Sequence, residues 1–205
     1  MNYLAFDTSG TFLTVEAKGK EIAVSHIPEC TRSHSIILME EIEKSLEKAG
    51  VSVNEIDVFG CCIGPGSFTG IRIGVSTAKA FAYALSKKVL PVTSFMSLAY
   101  NISDDVNKLT VIDAKHDNFY VCGFNGSNEI ILAPCFMSKE SLLEKIDGFH
   151  VISDCEIEGI NSTVGNLADG FKKAVEDNLE RASYNVEELV PLYVKKSQVE
   201  EDLCL

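Results

Sequence analysis

The chain has 205 residues, 46% hydrophobic and 23% charged, an ordinary globular balance with room for one large core or two small ones. Its 18 basic and 30 acidic residues leave a formal charge of -12, so its overall field repels phosphate. Any RNA is then expected to be held mainly by another subunit. No uncharged apolar run approaches the roughly 20 residues of a membrane span, and Met1 to Asp7 carry no basic region or long apolar stretch, which argues against a signal or transit peptide.

In chain order, Tyr3–Asp7 and Thr11–Ala17 are strand-like and flank the polar turn Thr8-Ser9-Gly10, a hairpin pattern. A third strand is expected over Glu21–Ile27. Ile36, Met39, Ile42, Leu46 and Ala49 recur at helical spacing, so a first helix should run from after Ser33 to Gly50, which suits the C′ position. Ile37 and Leu38 widen its apolar surface beyond one stripe. A buried strand over Ile56–Ile63 runs into Gly64-Pro65-Gly66-Ser67-Phe68-Thr69-Gly70, and a second helix follows over Ile71–Lys87, capped by Thr69 or Ser67.

A strand at Val89–Thr93 and a helical segment at Phe95–Tyr100 precede the polar stretch Asn101–Lys108, where the boundary between two lobes, 1–104 and 105–205, is placed. The opening pattern then returns. Leu109–Asp113 is a strand ending in aspartate, Ala114–Asn118 a polar turn and Phe119–Phe124 a second strand, so Asp7 and Asp113 hold equivalent places in a duplicated unit. The remainder predicts a strand at Ile130–Ala133, a helix at Ser138–Ile146, a strand at Phe149–Ser153, a helix over Gly165–Arg181 and a tail that includes Pro191–Gln198.

The strand, glycine turn and helix arrangement could hold an anion, but its spacing fails the known phosphate formulas. Ile71-Arg72 follow Gly70 where a P-loop needs Lys and Ser or Thr, and Thr69 stands where a dinucleotide fingerprint needs its third glycine. The turn reads instead as glycines that let a helix begin at close quarters. Gly70, Gly74, Ala78 and Ala82 lie four apart, a line of small residues along which another backbone can approach. The sharper expectation is that this line forms a helix-to-helix protein interface, with Arg72 at its rim or bracing the turn.

His26, His34, His116 and His150 are scattered, and Leu38 stands four residues after His34 where a metal-clasping partner would be, so no metal site is expected. The seven cysteines are odd in number and lack a C-x-x-C spacing, which suggests neither a disulfide framework nor a zinc ribbon and points to a reducing, cytosolic compartment. Neither Cys30 nor Ser67 stands in a recognisable nucleophile-and-base motif in the sequence.

Asp7-Thr8-Ser9-Gly10 resembles the phosphate loop of actin-like ATPases. Together with His34-Ser35, the motif from Gly64 to Gly74, Ile112-Asp113-Ala114, Phe119-Tyr120 and Pro191-Leu192-Tyr193, it resembles the bacterial TsaB (YeaZ) family. That resemblance implies an α/β fold of the ASKHA (actin-like, ribonuclease H-like) type, with two lobes, each a mixed β-sheet flanked by helices. It further implies a non-catalytic subunit that supports threonylcarbamoyladenosine formation at position 37 of tRNAs reading A-starting codons. Such a subunit binds a TsaD-type catalytic subunit through its first two helices, with a TsaE-type ATPase joining the assembly, and forms a homodimer when alone. ATP or ADP and Mg then enter through partners, tRNA is held mainly by the partner, and no membrane is involved. The expected interface residues are Ser35, Met39, Ile42, Arg72, Gly74, Ala78 and Ala82, the family glycine motif is Gly64, Gly66, Ser67, Thr69, Gly70 and Gly74, and Asp7, Thr8, Ser9 and Asp113 mark a vestigial nucleotide cleft. The rival reading is an independent actin-like ATP-dependent phosphotransferase or hydrolase using Asp7 and Asp113.

Overall fold

The structure is a computed structural model that describes residues 1–30, 34–103 and 105–195. Residues 31–33, Asp104 and the end of the chain from Lys196, with the expected tail residues Ser197 and Gln198 and the cysteine Cys204, lie outside the described residues.

Among the described residues, ten strands form two sheets of the same connectivity. The first contains β1 (Tyr3–Asp7), β2 (Leu13–Lys18), β3 (Ile22–Ile27), β4 (Val58–Cys62) and β5 (Lys88–Val92) in the order β3-β2-β1-β4-β5. The second contains β6 (Lys108–Asp113), β7 (Asn118–Phe124), β8 (Ile130–Ser138), β9 (His150–Ser153) and β10 (Thr163–Val164) in the order β10-β9-β6-β7-β8. In each, three antiparallel strands form a meander and two further strands add in parallel to its first strand. Asp7 ends β1 opposite Thr14, and Asp113 ends β6 opposite Phe119, so the two aspartates hold the same topological place. This duplicated mixed sheet is an α/β fold of the ASKHA (actin-like) type.

Strand periodicity places the core. Leu4 and Phe6 point to one face of the first sheet, where they meet α1 (His34–Ala49) and α2 (Phe68–Leu85) through Leu38, Ile42, Ala78 and Ala82. Tyr3 and Ala5 point the other way and pack against Phe171, Ala174 and Val175 of α5 (Leu167–Asn178). The helix α3 (Ser94–Ala99) covers Ile112, Cys122, Phe124 and Ile152 of the second sheet, while α4 (Lys139–Leu143) covers its far face through Leu142. Burying each large apolar side chain contributes roughly 1.5–3 kcal/mol, and β1, buried along its whole length, draws on both faces. After α5 the chain turns back to the first sheet, where Ser183 bridges Val89 and Leu189 enters the core. Among the described residues no helix is long and apolar enough to cross a membrane.

Several boundaries differ from the sequence expectation, each for a local reason. The strand expected from Ile56 begins at Val58, because Val53–Glu55 form a 3-10 turn held by Ser52 and Glu55. The second helix begins at Phe68, since Ser67 caps it by accepting from the Gly70 N–H, and stops at Leu85, where Ser86 turns left-handed at φ 53°. The strand from Ile130 continues through Pro134 to Ser138, and Ser138 then caps a short α4 instead of opening a helix to Ile146. The last helix starts at Leu167, because Asn166 accepts from the N–H groups of Ala168 and Asp169, and the unexpected strand β10 precedes it. Gly50 does stand at the end of α1, with φ +62°.

Candidate functional site

The glycine turn after β4 is packed onto the turn between β1 and β2. A Cβ at Gly66 would lie 2.3 Å from the Ser9 carbonyl oxygen, and one at Gly70 would lie 2.0 Å from the Thr8 carbonyl oxygen. One at Gly74 would lie 2.6 Å from Thr8 Oγ1. Hydrogen bonds close the seam: the Ser67 N–H donates to the Ser9 carbonyl (2.6 Å) and Thr8 Oγ1 donates to the Gly70 carbonyl (2.7 Å). Ser94 completes it, its hydroxyl donating to the Pro65 carbonyl at 2.8 Å and its N–H to Gly64 at 2.9 Å. Gly64 itself has φ +103°, a region that favours glycine. Thr69 is exposed on the first turn of α2 and takes no part in the seam.

This corrects the expected interface. The line Gly70, Gly74, Ala78, Ala82 is buried against the chain's own first sheet, and Ala78 and Ala82 are 0% and 1% exposed. Ile42 is likewise buried, at 1%. A row of small residues allows close approach of a backbone, and here that backbone is the hairpin turn of the same chain. Gly74, Ala78, Ala82 and Ile42 are therefore unavailable on the surface of this chain.

The outward faces of the same helices carry the exposed apolar surface. Ile36 and Met39 on α1 are 65% and 44% exposed, and Phe68 on α2 is 52% exposed. Between the helices runs a groove of about 520 Å³ lined by Ser35, Leu38, Met39, Phe68, Arg72 and Ile73. Arg72 lies one helical turn after Phe68, with its guanidinium carbon 3.6 Å from the Phe68 ring centroid. Its Nε donates to Tyr193 Oη at 2.9 Å, and the Phe68 and Tyr193 rings stack at 5.2 Å. Arg72 thus fastens the tail to the start of α2. The Phe68–Arg72 spacing is visible in the sequence, whereas Tyr193, 121 positions from Arg72, is brought to it by the fold.

A second concavity, about 310 Å³, lies between the two sheets and is lined by Ser9, Gly10, Ser67, Asp113, Lys115 and Asp154, among others. The two equivalent aspartates part company here. Asp7 does not line the cleft. It is fully buried, its Oδ1 accepts from the Ser9 N–H at 2.8 Å and, among the described residues, its Oδ2 has no hydrogen-bond partner. Burial raises its pKa, and the nearby Ser9 and Cys62 offset this only in part. Asp113 is partly exposed. Burial works to raise its pKa, but the Lys115 ammonium at 2.6 Å and backbone N–H at 2.8 Å outweigh it and hold the carboxyl below its ordinary value. Asp154, which sequence reading missed, accepts the Asp113 N–H at 3.0 Å, and burial raises its pKa. Lys115, His116 and Asp117 all have positive φ (68°, 56° and 56°), an uncommon run for side-chain-bearing residues.

The raised pKa of Asp7 sets a testable pH dependence. A carboxyl whose folded pKa exceeds its unfolded value of 3.8 contributes most below that value, and this contribution is lost as pH rises through the folded pKa. Asp7→Asn lacks that titration and keeps an acceptor for the Ser9 N–H. Its melting temperature relative to the unsubstituted chain should therefore climb as pH rises above the unfolded value of 3.8, and a constant difference would contradict the buried carboxyl.

Comparison with known proteins adds the following. The family model described as TsaD, tRNA N6-adenosine threonylcarbamoyltransferase, matches residues 25–201. The tRNA threonylcarbamoyladenosine biosynthesis protein TsaB of Haemophilus influenzae is 26% identical over 125 residues, covering 58% of this chain and 52% of that protein. The TsaB of Buchnera aphidicola is 29% identical over 142 residues, covering 63% and 64%. The chain spans about half to two thirds of the length of these curated relatives. The solved structure of YeaZ from Pseudomonas aeruginosa superposes with a TM-score of 0.77 at 21% identity, covering 94% of this chain and 99% of that one, a likeness of fold.

Proposed function

The chain belongs to the TsaD family of tRNA N6-adenosine threonylcarbamoyltransferases, on its TsaB (YeaZ) branch, and from that premise we propose that it is a non-catalytic subunit required to form threonylcarbamoyladenosine on tRNA. It docks on a TsaD-type catalytic subunit, which performs the transfer at position 37 of tRNAs reading A-starting codons, and a TsaE-type ATPase joins the assembly. The observation that carries this reading is the exposed apolar surface of Met39 and Phe68 along the groove between α1 and α2, with Ile36 exposed beside it on α1. Without the partner, two copies pair through the same surface. The tRNA is held mainly by the partner, in keeping with a formal charge of -12.

The non-catalytic role is supported by what the first-sheet turn does with its polar groups. Asp7 is sealed below it, the Ser9 N–H is taken by Asp7, and Thr8 Oγ1 is taken by Gly70, so the groups that would face a phosphate serve packing instead.

The test is depletion of the protein followed by nucleoside mass spectrometry of bulk tRNA. Threonylcarbamoyladenosine is expected to fall, and an unchanged level would contradict the proposal. The rival reading, an independent ATP-using enzyme, draws on the cleft that gathers Asp113, Lys115 and Asp154. It requires Mg-dependent ATP turnover by the isolated chain, lost in Asp113→Asn.

A further inference from the structure

A third concavity, of about 390 Å³, opens where the tail crosses the start of α2, and Gly66, Phe68, Arg72, Tyr120, Tyr193 and Lys195 line it. Its volume lies within the range of small-molecule sites. Its charged groups are two cations held by aromatic rings. Arg72 lies 3.6 Å over Phe68 and 5.9 Å from the Tyr193 centroid, and Lys195 Nζ lies 5.0 Å over the Phe136 ring. Among the described residues neither has a carboxylate within ion-pair distance. Arg72 commits its Nε to Tyr193, and that bond does not engage the two terminal nitrogens of the guanidinium fork, which can meet an anion. Phe68 and Tyr193 remain 52% and 43% exposed, so ring surface is available beside the cations.

We propose that this pocket binds one nucleotide unit, a planar base stacked on the Phe68–Tyr193 rings with its phosphate on Arg72 and Lys195. Stacking on aromatic side chains beside cations is how sequence-tolerant nucleotide sites are built. An acidic peptide would satisfy the cations but leave the rings uncovered. The unit can come from a free mononucleotide or from single-stranded RNA. Phe68 and Arg72 line both the groove and this pocket, whereas Tyr193 and Lys195 line the pocket and not the groove, so substitutions at Tyr193 and Lys195 test this inference apart from the docking reading.

The test is calorimetric titration of the full chain with AMP, inorganic phosphate, a short single-stranded RNA and a glutamate-rich peptide. AMP or the RNA should bind, and the tighter of the two identifies the source. Inorganic phosphate, lacking a ring, should bind about tenfold or more weakly. Lys195→Ala should weaken nucleotide binding about tenfold while leaving the melting temperature and co-purification with a TsaD-type subunit unchanged. Tyr193→Phe, which keeps the ring, should retain binding that Tyr193→Ala loses. The proposal is overturned if neither nucleotide ligand binds at millimolar concentration. It is equally overturned if Lys195→Ala and Tyr193→Ala both bind as tightly as the unsubstituted chain, or if the peptide binds as well as the nucleotides.

Discussion

Gly70→Ala should lower the melting temperature of the isolated chain by roughly 6–12 °C. Intrinsic preference predicts the opposite sign, since alanine is favoured over glycine in a helix by about 1 kcal/mol. At Gly70 the new methyl would stand 2.0 Å from the Thr8 carbonyl oxygen, a backbone atom with no rotamer by which to move away. To make room, the β1–β2 turn must part from α2, which breaks the Thr8–Gly70 and Ser67–Ser9 hydrogen bonds, about 1 kcal/mol each. Overpacking adds about 1–3 kcal/mol. The net of about 3 kcal/mol, at 2–4 °C per kcal/mol for a chain of this size, yields the stated fall. Thermal unfolding followed by circular dichroism measures it, and an unchanged or higher melting temperature would show that this seam does not hold the two segments together.

The largest expected functional effect is on partner binding. Met39→Glu should weaken the complex with a TsaD-type subunit about 30-fold or more, because an anchor lost from the centre of an interface costs about 2 kcal/mol or more. Met39 is 44% exposed in the isolated chain, so the fold should tolerate the change within about 0.5 kcal/mol. An arginine at Ala78 would be a poor probe, since that position is 0% exposed and the charge would enter the core. Affinity measured by surface plasmon resonance, with melting temperature as the check on folding, decides the matter. Full-strength binding by folded Met39→Glu would remove the outer face of α1 from the interface.

Much of the architecture is legible in the sequence alone. The hairpin at Tyr3–Ala17, the period of Ile42, Leu46 and Ala49 in α1, and the return of strand, aspartate, turn and strand at Leu109–Phe124 all appear as two equivalent sheets. The glycine motif also led correctly to a helix that begins at close quarters. Element ends were less legible where a single side chain sets them, as with Asn166 capping α5 and Ser67 capping α2.

What the sequence by itself determined is therefore what backbone sterics and side-chain periodicity decide within one element: strand, helix, turn, and the row of small residues along Gly70, Gly74, Ala78 and Ala82. Those quantities are local, and local spacing encodes them. What only the tertiary structure decided is which neighbour each face meets. The small row lies on the chain's own sheet and leaves Ile36, Met39 and Phe68 outward. The same decision separates two aspartates of equal topological rank, one fully enclosed, the other open and paired with Lys115. It also brings Tyr193 to Arg72 across 121 positions of the chain. A residue's periodicity records the geometry of its own element, whereas burial, charge pairing and pKa depend on atoms supplied by distant segments.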